Sequence, residues 1–155
     1  MSGNHGKRPG LMARVKQKLL SNPNVALYGF IAAGSVLGGL TRYLLSLLIQ
    51  LGSPFPWATL FVNVTGSFII GFYNTLSGPD GRLFASAKQR QFVMTGFCGG
   101  YTTFSTFSLE TIRLLGSGMR QTALLNIIVS IVTWLLAVWL GHLLANRLNR
   151  LKGSS

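Results

Sequence analysis

Acidic residues and cysteine are nearly absent from this chain of 155 residues. It has two acids, Asp80 and Glu110, against 14 lysines and arginines, and its one cysteine is Cys98. A single cysteine excludes an internal disulfide framework. Charged residues make up 10% of the chain, against about 25% in ordinary soluble domains, so a soluble globular domain is not expected.

Apolar residues are abundant instead, and they lie in long runs. They make up 48% of the chain, and the mean hydropathy is +0.43. This composition predicts an all-α membrane protein with four transmembrane helices. The predicted spans are about 25–51, 57–76, 91–115 and 121–144, within a membrane domain of residues 25–146 that lies between a basic cytosolic tail (1–24) and a basic C-terminal tail (147–155).

The excess of basic residues gives a formal net charge of +12 and an isoelectric point near 11.3. Such values often indicate nucleic-acid binding. Here the bases flank apolar runs instead of lining a polar domain, which is the arrangement of the positive-inside rule. We therefore expect membrane lipid as a partner and no nucleic acid. The sequence also shows no nucleophile with a base, no metal-binding cluster and no phosphate loop, so it does not predict an enzyme.

The second span carries a regular polar stripe. Thr59, Asn63 and Ser67 recur every four residues, which places them on one face of a helix. A helix in lipid gains nothing from such a stripe unless the stripe faces protein, water or a permeating species. The stripe therefore predicts a functional face.

The third span contains a segment that makes a poor continuous helix. Gly99 and Gly100 are adjacent, and five hydroxyl residues follow within ten positions. Because glycine and β-branched threonine disfavour helix, we expect a break near residues 99–103. Broken backbone at membrane depth is tolerated only where it is buried or lines a cavity, and its freed carbonyls are hard oxygen ligands that suit Na⁺.

The polar side chains in the spans suit an anion better than a cation. They are mostly hydroxyl and amide donors, and Glu110 is the only acid in a span. Phe104 and Phe107 stand three apart and so share one helix face, and the edge of a phenyl ring is electropositive. Ring edges and hydroxyls on one face could conduct a small anion, although simple packing is the commoner role of such a pair.

The residues of the third span resemble a known family signature. Residues 96–110, GFCGGYTTFSTFSLE, are similar to the signature of the Fluc (CrcB) fluoride channels. Residues 38–43 in the first span, residues 59–68 in the second, and Asn126 with Ser130 in the fourth agree with the same family. The resemblance covers about residues 29–146 and leaves the N-terminal tail outside.

The resemblance implies an architecture and a function. Members are antiparallel dimers of four-helix subunits whose third helix is broken near its middle. Two passive fluoride pores run between the subunits in the plasma (inner) membrane of a prokaryote. The fluoride path implied by the motif positions comprises Asn63, Phe104, Ser105, Thr106, Phe107, Glu110, Asn126 and Ser130.

Two further sites are implied by the resemblance. Backbone carbonyls of Gly99 and Thr102 from both subunits would hold one structural Na⁺ at the dimer interface. Arg42 would lie at the vestibule of the pore, although an arginine that extends to the membrane interface is an equally good interpretation.

Two other functions compete with a channel. A small proton-coupled multidrug exporter would also have four short helices, and it would need a membrane-embedded carboxylate, for which Glu110 is the only candidate. A membrane scaffold that transports nothing would explain the small residues of the first span but not the hydroxyl-rich segment of the third.

The bases are unevenly shared between the two ends of the spans. One end carries eleven and the other at most three. The eleven are Lys7, Arg8, Arg14, Lys16, Lys18, Arg82, Lys88, Arg90, Arg147, Arg150 and Lys152, and the three are Arg42, Arg113 and Arg120. Because bases near span ends set topology, we expect both termini in the cytoplasm. The second subunit would then be an oppositely oriented homologue in a heterodimer, instead of a second copy in a dual-topology homodimer.

Overall fold

A computed structural model describes residues 10–12, 22–49, 52–79 and 81–150, and all regular structure in these ranges is helical. Most of the predicted N-terminal tail lies outside the described residues. So do residues 50–51, at the end of the first predicted span, and residues 151–155 of the C-terminal tail.

Within residues 22–150, the described chain forms six α-helices and one π-helical segment. They are α1 (Pro23–Leu48), α2 (Trp57–Leu76), α3 (Ala87–Gln91), the π-helical segment (Phe92–Cys98), α4 (Gly99–Tyr101), α5 (Phe104–Gly116) and α6 (Arg120–Arg150). The elements from α3 to α4 follow one another without a gap. Two extended residues then separate α4 from α5.

Local sequence signals account for several helix ends. Asn22 caps α1 by accepting a hydrogen bond from the backbone of Asn24 at 3.0 Å, with proline at the first helical position. Ser86 and Gln89 form a capping box at the start of α3. Gly118 has a φ of 78° in the turn between α5 and α6, a conformation that favours glycine.

The helix bounds differ from the hydropathy-based spans mainly at polar ends. Helix α2 has the same bounds as the second span, whereas α3 begins four residues before the third span and α6 continues to Arg150. Residues 145–150 are mostly polar but helix-compatible, so backbone hydrogen bonding continues after the apolar run has ended. A hydropathy profile detects the apolar part of a helix and therefore misses polar extensions at its ends.

Glycines bring the helices into backbone contact. A Cβ at Gly34 or Gly38 of α1 would clash with a carbonyl oxygen of the π-helical segment. On the other side of the subunit, a Cβ at Gly71 of α2 or Gly141 of α6 would likewise clash with a carbonyl of the facing helix. Helix α1 therefore packs closely on the third-span segment, and α2 packs closely on α6.

Two described helices are long and apolar enough to cross a membrane. Residues 24–48 reach a mean hydropathy of 1.4 and residues 120–150 reach 2.3. Within the most apolar 18-residue window of each helix, only 11% and 22% of the residues are buried in the subunit. Their exposed apolar side chains therefore require lipid or another subunit around them.

Candidate functional site

The interruption between α4 and α5 is the centre of the site. Thr102 has φ −82° and ψ 159°, and Thr103 has φ −153° and ψ 119°, so both residues are extended. Thr103 then caps α5, because its hydroxyl accepts a hydrogen bond from the backbone of Thr106 at 3.1 Å. The interruption lies within the 99–103 segment that the two glycines indicate.

Asn63 of α2 holds the interruption in place. Its Oδ1 accepts from the backbone N–H of Thr103 at 2.7 Å, and its Nδ2 donates to the carbonyl of Thr103 at 2.9 Å. Asn63 is 5% exposed. One buried side chain thus satisfies both backbone groups of an extended residue, which would otherwise be costly to bury.

The interruption also releases carbonyl oxygens from their usual partners. In a continuous α-helix the N–H of Thr103 would donate to Gly99, but here it donates to Asn63. The carbonyl of Thr102 has no hydrogen-bond donor among the described residues. The carbonyls of the two predicted Na⁺ ligands, Gly99 and Thr102, therefore remain available to another group.

Arg42 of α1 contacts the same interruption. Its Nε donates to the carbonyl of Gly100 at 3.2 Å. Arg42 also lines a cavity of about 860 Å³ that Thr59, Thr103 and Glu110 share. The structure therefore places the predicted vestibule arginine beside a cavity that Glu110 also lines and in contact with the segment before the break.

Phe104 and Phe107 begin α5, and their rings lie together. The ring centroids are 5.5 Å apart and the ring planes are tilted by 46°. Phe104 is 71% exposed in the subunit, whereas Phe107 is 6% exposed. The edge of one ring contacts the face of the other in the Phe107–Trp134 pair, with centroids 5.0 Å apart and planes at 74°. One ring of the pair is thus held by the subunit and the other faces outward.

Hydroxyl groups surround the start of α5. The hydroxyl of Thr103 donates to Oγ1 of Thr106 at 2.9 Å and lies 3.2 Å from Oγ of Ser105. Because Oγ1 of Thr106 accepts this bond, its own hydrogen remains available to another acceptor. Two of the predicted path residues are therefore joined in one hydroxyl cluster with Thr103.

Glu110 lies one helical turn beyond Phe107. Its Oε1 accepts a hydrogen bond from the hydroxyl of Thr59 at 2.9 Å. Its Oε2 is buried and has no partner among the described residues. The polar stripe of α2 and the only acid in a predicted span therefore meet at one point.

Asn126 and Ser130 form a polar chain between α6 and α5. Ser130 donates to Oδ1 of Asn126 at 3.3 Å, and Nδ2 of Asn126 donates to the hydroxyl of Thr111 at 2.9 Å. Thr111 in turn donates to the carbonyl of Phe107 at 2.8 Å. Asn126 and Ser130 are each 1% exposed. In the subunit these donors brace the helix that carries Phe107.

Sequence reasoning missed three residues of this arrangement. The role of Thr103 as the residue held by Asn63 depends on a contact between distant helices. Thr111 lies beyond the signature, and nothing in its neighbourhood marks it. The sequence does indicate that Trp134 shares a face of α6 with Asn126 and Ser130, because the three residues are spaced four apart.

Comparisons with known proteins place this chain beside one family. A family model described as "CrcB-like protein, Camphor Resistance (CrcB)" matches residues 29–142. "Fluoride-specific ion channel FluC 1" of Rhodopseudomonas palustris is 69% identical over 131 residues, covering 83% of this chain and 93% of that protein. The FluC 1 of Bradyrhizobium diazoefficiens is 63% identical, covering 83% and 90%. The FluC of Opitutus terrae is 53% identical, covering 84% and 100%.

Proposed function

The chain belongs to the CrcB family, and we propose on that basis that it is a fluoride-specific ion channel and not an enzyme. One observation carries the proposal at atomic level. The Phe104–Phe107 pair lies next to a cluster of hydroxyl donors at the interruption, which is a surface suited to a small dehydrated anion.

The proposed path replaces the water around fluoride with protein groups. Removing an ion from water without replacement contacts is very costly. The electropositive ring edges of Phe104 and Phe107 and the hydroxyl hydrogen of Thr106 supply such contacts. Asn63, Ser105, Glu110, Asn126 and Ser130 complete the path or hold it in shape.

We propose that transport is passive. Fluoride enters from acidic surroundings as neutral HF, ionises in the cytosol and is trapped there as an anion. A channel lets the anion leave down its own gradient. The sequence has no phosphate-binding loop that would couple the flow to ATP.

Fluoride efflux from liposomes tests the function. Proteoliposomes that contain this chain together with an oppositely oriented homologue, and that are loaded with fluoride, should release it when a counter-ion path is opened, and an external fluoride electrode records the release. A scaffold would release none, and an exporter would move cations only with a proton gradient. Either result would contradict the channel.

The surface of the subunit supports a dimer. Phe104, the first residue of α5, belongs to the family signature, yet its large apolar ring is exposed in the subunit. A Cβ at Gly39 or Gly99 would meet nothing within 4 Å in the subunit, in contrast to Gly38, so these small residues leave room for a second backbone. We propose that an antiparallel second subunit covers this surface and completes the path.

A structural Na⁺ at the dimer interface fits the released carbonyls. Gly99 has lost its usual donor, and Thr102 has none among the described residues. Carbonyl oxygens of both residues from two subunits would surround a hard cation. Because the ligands are backbone atoms, substitution of polar side chains other than Asn63, which holds the interruption, should leave the site in place.

Sodium removal provides the test of this proposal. Exchanging Na⁺ for the bulky cation N-methylglucamine should lower fluoride flux or the fraction of dimer, and restored Na⁺ should reverse the loss. Potassium serves as the comparison ion. Unchanged flux and assembly in all three cations would contradict a structural sodium site.

We propose a multi-pass topology with both termini in the cytoplasm. The loop after α2 lies against the end of α6, since the backbone of Arg82 donates to Asn149 at 2.9 Å. Arg82 of that loop therefore lies at the same end of the subunit as Arg147 and Arg150. Arg113 and Arg120 lie near the turn at the start of α6, about 45 Å away along a helix of 31 residues.

A C-terminal reporter fusion measures this orientation. We expect signal from a cytoplasmic reporter and none from a periplasmic one, because eleven bases oppose at most three. The purified chain alone should then give no flux until an oppositely oriented homologue is added.

Replacing Arg82, Lys88 and Arg90 with glutamine should weaken the bias toward cytoplasmic termini, whereas replacing Arg113 and Arg120 should not. Equal signal from both reporters, or full flux from this chain alone, would restore the dual-topology homodimer.

A further inference from the structure

Trp134 of α6 carries a buried hydrogen-bond donor that the fold does not use. Its Nε1 has no partner among the described residues and is closed off from solvent in the subunit. An indole N–H can only donate, and an unmatched buried donor is costly. Such a group in a well-packed helix pair calls for an acceptor that the subunit itself does not supply.

The surroundings of Trp134 are those of the proposed pathway. Its ring meets Phe107 edge to face, with centroids 5.0 Å apart. It also lines a cavity of about 230 Å³ together with Asn63, Thr103 and Phe104. The indole ring therefore lies against Phe107 and lines a cavity with the residue that fixes the interruption.

We infer that the indole N–H of Trp134 donates a hydrogen bond to fluoride as the ion passes Phe107. The inference rests on the proposed function, because it needs an anion in this pathway. A donor without acceptor capacity suits an anion and repels no part of it. Hydrogen bonds to an ionised acceptor are short and strong, and fluoride concentrates its charge more than chloride does.

The donor becomes accessible through a small shift of the indole. Since Nε1 has no surface open to water, an ion reaches it only when the indole and Phe107 separate slightly. Gaining an acceptor for a buried donor favours that shift. An ion held there is shielded from water, which strengthens the hydrogen bond.

The test observes the N–H of Trp134 directly. The chain has three tryptophans, and Trp57 and Trp139 are about half exposed. Replacing these two with phenylalanine leaves Trp134 as the only indole, whose ¹⁵N-labelled Nε1–H resonance is then followed in nanodiscs. Sodium fluoride should shift this resonance to saturation, and sodium chloride at the same concentration should not. The matched control keeps Trp139 alone, and its resonance should stay in place.

Flux measurements separate this inference from the proposed function. Trp134→Phe should lower fluoride flux about ten- to hundredfold, as loss of one charge-assisted hydrogen bond predicts, while Trp139→Phe should not change it. A conducting parent protein whose Trp134 resonance ignores fluoride, or responds equally to chloride, would overturn the inference alone. A parent protein that gives no flux either alone or together with an oppositely oriented homologue would contradict the channel itself.

Discussion

Phe107→Ile should reduce fluoride flux to near background while the dimer survives. Isoleucine keeps an apolar side chain of similar bulk but has no electropositive ring edge to offer an anion. The buried ring also contacts Trp134, so we expect a loss of about 1–3 kcal/mol in the free energy of unfolding, too little to unfold the protein. Liposome efflux and size-exclusion chromatography of the same preparation measure both effects.

Phe104→Ile tests the exposed member of the pair. Its ring is 71% exposed in the subunit, so the substitution should cost little stability but nearly all flux. Phe61→Ile is the matched control, because Phe61 is 45% exposed on α2 and has no place in the proposed path. Fast flux in both Phe104→Ile and Phe107→Ile would assign the pair to packing alone.

Asn63→Leu should abolish flux and destabilise the protein together. Leucine has a similar size but leaves both backbone groups of Thr103 buried without a partner. Each orphaned group costs about 1–3 kcal/mol, so the thermal midpoint should fall by several degrees or more. The interruption would then lose the geometry that sets Phe104 and the carbonyls in place.

Asn63→Asp and Asn74→Leu make the result specific. Aspartate can accept from the N–H of Thr103 but cannot donate to its carbonyl when ionised, so an intermediate loss is expected. Asn74 is an exposed residue of the same helix, whose Oδ1 accepts from Arg90 at 3.1 Å. Its replacement should change stability and flux little. Normal flux and melting of Asn63→Leu would show that the interruption does not need this clamp.

The sequence allowed prediction of features that depend on local pattern. The four-residue spacing of Thr59 and Asn63 placed them on one face, where the structure has them contact Glu110 and Thr103. The adjacent glycines placed the weak point of the third span within a few residues of Thr102. These inferences need only helix geometry and intrinsic propensity.

Other features depend on which distant atoms meet. No local pattern shows that the donors of Asn126 and Ser130 point to protein groups, because that direction follows from the packing of α6 on α5. The π-helical turns of Phe92–Cys98 likewise lie where α1 approaches closely, and no residue propensity indicates them. The unmatched N–H of Trp134 appears only once every neighbouring acceptor has been placed.

The glycine contacts have a mechanical consequence for permeation. Where Gly38 meets the carbonyl of Phe97, and Gly71 meets that of Val138, no flexible side chain separates the two backbones. Such a junction has almost no compressible layer, and the helices cannot slide by one residue without a collision. The helices that would line the proposed path are therefore held in fixed register, and a stiff wall can discriminate ions by size because it does not relax around the larger one. Selectivity in this protein would then be a property of the backbone framework as much as of the groups that touch the ion.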